Sequence, residues 1–210
     1  MSSTTNLEHY YKQLNEIGNV SRETFDLCSL YINTLLKWNK RINLVSKKHH
    51  TFDDIWERHF IDSAQIIKHI PTDAKIITDL GSGGGFPGIV IGILTNCEVH
   101  LIESDSRKCA FLNEVARHVK KGIHIHNERI EKITSWKTDV ITARALSSLD
   151  KLLELSNIFE DENKLCLFLK GENVVEEINE ANENWNFNYT KHKSLSSSTG
   201  CILEITNLKS

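Results

Sequence analysis

The chain has 210 residues with 25 Lys and Arg against 28 Asp and Glu, a formal charge of −3, which excludes a strongly basic protein that coats nucleic acid over its whole surface. Apolar residues make up 40% and charged residues 25%, the balance of an ordinary globular chain rather than a disordered one. The longest apolar stretch, Gly88 to Leu94, falls far short of the roughly 18–20 residues of a membrane span. Five scattered cysteines without a C-x-x-C pair argue against a disulfide scaffold or a zinc site. With no apolar leader in MSSTTNLEHYYK, a cytoplasmic protein with reduced thiols and no membrane partner is expected.

The first seventy residues have the rhythm of helices. Ser21 is a candidate N-cap, and Phe25, Cys28, Tyr31, Leu35 and Trp38 recur at helical spacing on one apolar face. Lys37 to His50 then carries Lys37, Lys40, Arg41, Lys47 and Lys48 with no acid, while the rest of the chain is acidic. A basic patch on an acidic body can meet a polyanion at one face only; a solvated helix end is the simpler alternative. Thr51 is placed to cap a second helix with apolar positions Ile55, Trp56, Phe60, Ile61 and Ile66, ending before Pro71.

From Lys75 strands alternate with helices. The pattern predicts strands at 75–80, 98–103, 123–127, 139–142 and 164–169, separated by helical stretches near 88–95, 107–119, 128–133 and 149–159. That alternation implies a parallel sheet covered on both faces. A polar helical piece at 173–184 precedes two strands, 187–192 and 201–206, joined by a Ser/Gly loop, so the last strand should run antiparallel. The fold class is therefore α/β: a Rossmann-like seven-stranded sheet with a terminal antiparallel hairpin, the arrangement of S-adenosylmethionine-dependent methyltransferases. Residues 1–70 would form an N-terminal helical extension and 71–210 the methyltransferase domain, packed as one compact unit.

The sharpest local feature is Asp79-Leu80-Gly81-Ser82-Gly83-Gly84-Gly85-Phe86-Pro87-Gly88, which follows a predicted strand and opens a helix. Glycines let backbone approach a ligand without Cβ interference, and the N–H groups of the next helix favour an anionic group. Two registers compete here. Gly83-x-Gly85-x-x-Gly88 fits the dinucleotide pattern, whereas Asp79-x-Gly81-x-Gly83-x-Gly85 fits the acidic-x-G-x-G-x-G pattern of methyltransferases. Either ligand has a ribose diol, and Glu103 at the end of the next strand can accept from both hydroxyls. Nucleoside cofactor binding follows, with an NAD-type oxidoreductase as the alternative to a methyltransferase.

The acceptor decides what catalytic groups methyl transfer needs. The position after the fourth strand reads Thr142-Ala143-Arg144-Ala145, without the Asn/Asp-Pro-Pro-aromatic motif that accompanies adenine amines. No cysteine adjoins a proline, as pyrimidine C5 chemistry would require. An acceptor with a free lone pair suits what remains. Guanine N7 is one, and arginine suits its neighbour O6; oxygen acceptors and other ring nitrogens stay open.

Asp79–Gly88, Trp38-Asn39-Lys40-Arg41-Ile42-Asn43-Leu44, Arg58-His59-Phe60-Ile61-Asp62-Ser63, Arg144-Ala145 and Leu169-Lys170-Gly171 resemble, in order, the bacterial 16S rRNA guanine-N7 methyltransferases, also called glucose-inhibited division protein B. The resemblance runs from about Leu27 to Gly171. It implies methyl transfer from S-adenosylmethionine to N7 of a guanine in the 530 loop of 16S rRNA, near the decoding site, with 16S rRNA or the small subunit as partner. It further implies that Gly81 and Phe86 line the cofactor site, that Ile130 and Glu131 lie along the adenine, and that Arg144 sits at the junction of cofactor and guanine. Ala143 departs from the family pattern, which commonly has serine there.

Asp79, Gly81, Gly83, Gly85, Phe86, Glu103, Ile130, Glu131 and Arg144 are thus the cofactor candidates. Arg144 and Lys170, ending the fourth and fifth strands, are the catalytic candidates, each with a plain alternative: a salt bridge for Arg144 and a solvated lysine for Lys170. Asn39, Lys40, Arg41, Arg58 and His59 are the RNA-binding candidates, although His59 and Asp62 equally suit a network anchoring the helices to the sheet. Trp38 fits the core better than a stacking role. His124 and His126 alternate with isoleucines on a strand and suit packing or solvation better than metal ligation, so no metal site is expected. A monomer is expected, and a non-catalytic ribosome-associated RNA-binding factor is the remaining alternative.

Overall fold

A computed structural model of the chain describes residues 4–119, 122–159 and 164–209. Helix α1 (Thr4–Ile17) is followed by α2 (Arg22–Asn39). The Ser21 side chain caps α2 by accepting from the Thr24 N–H, and the stripe from Phe25 to Leu35 is buried. Trp38 is half-buried at the end of that stripe, donating from Nε1 to Glu114 Oε2 at 3.0 Å. α1, which the sequence pattern does not separate from the other helices, docks through buried Tyr10 and Leu14.

Thr51 opens the next helix through a reciprocal capping box with Asp54. The single helix expected there is instead four short pieces: α3 (Phe52–Ile55), a π-helical turn (Trp56–Phe60), α4 (Ile61–Ala64) and a 3₁₀ turn (Gln65–His69). The physical reason lies in the spacing of the apolar residues. Two adjacent pairs, Ile55-Trp56 and Phe60-Ile61, sit five apart, more than one α-turn spans. The wider turn brings both pairs to the core and stacks Trp56 on Phe60 with centroids 4.7 Å apart.

The sheet follows as β1 (Ile76–Leu80), α5 (Gly88–Leu94), β2 (Glu98–Ile102), α6 (Ser106–Ala116), β3 (Ile123–His126), β4 (Val140–Arg144), α7 (Leu149–Ser156), β5 (Leu165–Lys170), α8 (Val174–Ala181), β6 (Asn186–Lys193) and β7 (Cys201–Lys209). The stretch near 128–133 is a single 3₁₀ turn, Ile130–Lys132. Strand order is β3-β2-β1-β4-β5-β7-β6. β1 to β5 pair in parallel, and β7 runs antiparallel to both β5 and β6.

Side chains alternate between two buried clusters, as strand geometry requires. Leu165, Leu167 and Leu169 join Ile77 and Leu101 under α1, α2, α5 and α6. Cys166 and Phe168 face Ile141 under α7 and α8. The N-terminal helices therefore complete one face of the sheet: Phe25, Tyr31 and Leu35 lie in the same cluster as the strands. Among the described residues no helix is long and apolar enough to cross a membrane. β1 lies between β2 and β4, so the glycine loop after β1, Glu103 after β2 and Arg144 at the end of β4 all meet at the carboxyl edge of the sheet, where ligands bind in open α/β folds.

Candidate functional site

Asp79, the penultimate residue of β1, is fully buried. Its Oδ1 accepts from the Thr142 hydroxyl at 2.8 Å, joining β1 to β4 beneath the loop. Burial pushes this carboxyl up to about 6, against the opposing pull of Ser82, Thr142 and the Gly88 N–H. It orders the loop and the start of α5, and it does not line the cleft above the loop, where the sequence pattern places it. Gly85 also lies off the cleft. A Cβ there would meet Ile89 at 2.6 Å and the Tyr31 hydroxyl at 3.1 Å, so this glycine serves close packing. Gly81, with φ +65°, turns the chain under Leu146.

Above the loop opens a cleft of about 460 Å³, lined by Gly81, Gly83, Phe86, Glu103, Ile130, Glu131 and Arg144. Glu103 is only 8% exposed. Its Oε2 accepts from the Gly83 N–H at 2.9 Å and its Oε1 from the Asp105 N–H at 2.8 Å. A carboxylate has about four lone-pair sites, so each oxygen keeps capacity for a ligand hydroxyl. The carboxylate thus shapes the glycine loop and faces the cleft at once. Lys108, Leu146 and Ser147 also line it; nothing in their local sequence distinguishes them.

Arg144 separates this cleft from a second one of about 590 Å³, which it shares with Arg58, His59, Asp62, Ala145 and Lys170. The guanidinium lies over the Phe86 ring, 5.0 Å from its centroid. It donates from Nη2 to His59 Nδ1 and pairs through Nη1 with Asp62 Oδ2 at 3.5 Å. Asp62 is itself fixed by the Ser196 hydroxyl at 2.7 Å and the Gln65 amide at 3.0 Å, and Gln65 Oε1 accepts from the Leu195 N–H at 2.7 Å. Helical extension, β4 and terminal hairpin therefore converge on one arginine. Burial, followed by the Arg144 charge, lowers His59 to about 3, so the ring is neutral at neutral pH. His49, Gln65 and Ser196, which surround His59 and Asp62, carry no local sequence signal and were missed as site residues. Both plain alternatives hold in part, since Arg144 does form a salt bridge and His59 and Asp62 do anchor helix to sheet.

Lys170 ends β5 but does not stand free. Its ammonium pairs with Glu177, donates to the Ser147 carbonyl at 3.1 Å, and its side chain is 7% exposed. The charge read from sequence as catalytic or else solvated is neutralised by Glu177 of α8, and the ammonium braces the loop after β4. Asn39 is likewise committed: its Oδ1 accepts from the Leu44 and Val45 N–H groups at 2.9 and 3.1 Å, which shapes the turn after α2. Lys40 and Arg41 are exposed and line a groove of about 400 Å³ with Lys47, Lys108 and the Arg107–Asp105 ion pair, 2.8 Å apart. Lys108 borders both this groove and the first cleft. Arg58 is exposed on the wall of the second cleft.

The family model described as rRNA small subunit methyltransferase G matches residues 25–206. The chain belongs to the rRNA small subunit methyltransferase G family. Ribosomal RNA small subunit methyltransferase G of Rhodospirillum rubrum is 45% identical over 186 residues, covering 89% of this chain and 92% of that protein. The protein of the same name from Orientia tsutsugamushi strain Ikeda is 44% identical over 199 residues, covering 95% and 98%. Among solved structures, M. jannaschii TYW2 in complex with AdoMet aligns with a TM-score of 0.56 at 12% identity, covering 81% of this chain and 79% of that one, a likeness of fold. These comparisons lend no support to an oxidoreductase or to a non-catalytic RNA-binding factor. The antiparallel end of the sheet expected from the sequence is present, with β7 between β5 and β6.

Proposed function

We propose that this chain is an S-adenosylmethionine-dependent methyltransferase that modifies N7 of a guanine in the 530 loop of 16S rRNA, working as a monomer in the cytoplasm on the RNA of the small ribosomal subunit. The observation that carries the reading is the position of Arg144, which borders both clefts and is held there by His59 and Asp62. One cleft then takes the methyl donor and the other the acceptor base.

The first cleft fits the donor by its chemistry. A buried carboxylate with spare lone pairs suits a ribose diol, glycine backbone allows close approach, and Ile130 supplies an apolar surface for an adenine, with Glu131 beside it. When bound, S-adenosylmethionine supplies an electrophilic methyl group on a sulfonium. N7 attacks through a lone pair and bears no proton, so the chain need not provide a general base. Its work is positioning and charge. Arg144 has five N–H donors and directs two nitrogens at His59 and Asp62; the rest are available to guanine O6. Neutral His59 adds no positive charge beside the guanidinium and serves to hold it. Lys40 and Arg41, with Lys47, offer the phosphate-binding surface, and Lys108 links that surface to the donor cleft. Asn39 and Lys170 have no role in RNA binding or catalysis in this reading: Asn39 shapes the turn after α2 and Lys170 braces the loop after β4.

Transfer of labelled methyl from S-adenosylmethionine, assayed on naked 16S rRNA and on isolated small subunits, tests this. Label entering one of the two RNA substrates, with no measurable NAD binding, is the expected result. Tight cofactor binding with no label in either substrate would overturn the substrate, and NAD binding in place of S-adenosylmethionine would overturn the cofactor.

A further inference from the structure

We infer that Glu98, His100 and His124 form a binding site for a late first-row divalent cation of the zinc class, on the sheet face beside the β3 edge. None of the three lines either cleft at the carboxyl edge.

Strand geometry assembles the site. Residues two apart on β2 share a face, which puts Glu98 beside His100, and the parallel register pairs His100 with His124 on β3. Glu98 Oε1 lies 3.1 Å from His100 Nε2 and 3.2 Å from His124 Nε2, and all three ligand atoms fall within 4.8 Å of one another. With bonds of about 2.0–2.1 Å to a tetrahedral zinc, neighbouring ligand atoms are on the order of 3.3 Å apart. Two of the three separations already match, so closing the site needs side-chain movement only.

The surroundings supply what metal-binding histidines need beyond the ligands themselves. His100 Nδ1 lies 2.9 Å from His126 Nε2. A proton on Nδ1 can therefore be donated to His126, leaving the Nε2 lone pair for the cation, and outer partners of this kind fix tautomer and ring orientation. Trp136 packs against His126 and His100 with centroids 4.7 and 4.9 Å apart, and its own N–H is tied to the Thr78 hydroxyl at 3.0 Å. The wall behind the histidines is thus rigid, while the side chains of Glu98 and His124, 46% and 51% exposed, leave the outer side open to water. Two imidazoles and one carboxylate suit zinc, nickel or copper, whereas magnesium and calcium prefer oxygen donors throughout. Reading His124 and His126 by local spacing could not show this site, because register alone brings Glu98 and His124 together.

Zinc chloride titrated calorimetrically into the full-length chain tests the inference, with cobalt(II) as a spectroscopic probe. The other such trio among the described residues, His69, His192 and Glu204, provides the control. An equivalent of zinc that disappears in His124→Ala and in Glu98→Gln, persists in His192→Ala, and weakens by roughly tenfold in His126→Ala is the expected result. Zinc should also raise the melting temperature of the wild type but not of His124→Ala. Both ligand substitutions fall on half-exposed side chains, and melting without metal checks that the variants fold. The site is refuted if zinc binds no tighter than millimolar, if binding survives both ligand substitutions, or if the cobalt spectrum shows thiolate charge transfer.

Discussion

Arg144 donates through Nη2 to His59 Nδ1. Because a guanidinium offers no acceptor, His59 must carry its proton on Nε2, where His49 Nδ1 lies 2.8 Å away. One hydrogen bond therefore fixes the tautomer of a half-buried ring and runs a polar chain from β4 to the segment bearing the basic groove. It also gives Arg144 one orientation at the boundary of the two clefts.

Arg144→Lys should lower the rate of methyl transfer by roughly a hundredfold, the worth of one charge-assisted contact of about 2–3 kcal/mol. A lysine keeps the charge but lacks the planar fork that reaches His59 and Asp62 together. S-adenosylmethionine affinity, measured by calorimetry, should change by much less. An equal fall in both would place Arg144 with the donor alone.

Glu103→Gln keeps one carbonyl acceptor, so only one of the Gly83 and Asp105 N–H groups keeps its partner. S-adenosylmethionine affinity should drop by at least about tenfold, consistent with loss of a charged acceptor worth roughly 1.5–3 kcal/mol. Calorimetric titration reads this directly, and unchanged affinity would remove Glu103 from the donor site.

His59 and Asp79 act on stability in opposite directions. His59 is held down to about 3 from an ordinary 6.5. The unfolded chain thus binds more protons between those values, and this contribution is present above pH 6.5 and lost as pH falls. Asp79 is raised to about 6 from 3.8. The folded chain binds more protons there, so this group adds stability as pH falls through 6 and loses it as pH rises. Each can contribute a slope of up to about 1.4 kcal/mol per pH unit. In urea unfolding between pH 7 and 4, His59→Gln should flatten or reverse the acid loss of stability, and Asp79→Asn should steepen it.

Gly88→Ala would place a Cβ 2.1 Å from Leu101 Cδ2 and 2.7 Å from Asp79 Oδ2, both fully buried groups that cannot yield. Overpacking of about 1–3 kcal/mol should lower the melting temperature by several degrees. Gly171→Ala meets nothing within 4 Å and should melt with the wild type.

Lys40→Ala with Arg41→Ala should weaken RNA binding and reduce the salt dependence of affinity by about 0.7–0.9 per lost phosphate contact. Asn39→Ala should act differently, lowering stability by freeing the Leu44 and Val45 N–H groups while leaving the salt slope in place. Filter binding across a salt series separates the two outcomes.

Much of the fold was legible because buried parallel strands are short apolar runs: β2 was expected at 98–103 and lies at Glu98–Ile102. The glycine loop and Glu103 were legible for a similar reason, since each announces its chemistry within a few residues. What escaped was long-range pairing. Gln65 meets Ser194 across 129 positions, and no local pattern foretells that this contact steadies Asp62 and, through it, Arg144. Lys170 was misjudged because Glu177, seven residues on, folds back over it from α8. The broken helix at 52–69 was misjudged because five-residue spacing between apolar pairs is uncommon and resolves only when the core is assembled.

The most direct test of the account is the identity and position of the methylated nucleoside after reaction with wild-type enzyme. Digestion of labelled RNA and mass spectrometry should find N7-methylguanosine at a single guanine of the 530 loop, absent from RNA treated with Glu103→Ala. Label on another nucleoside, or on a guanine outside that loop, would contradict it.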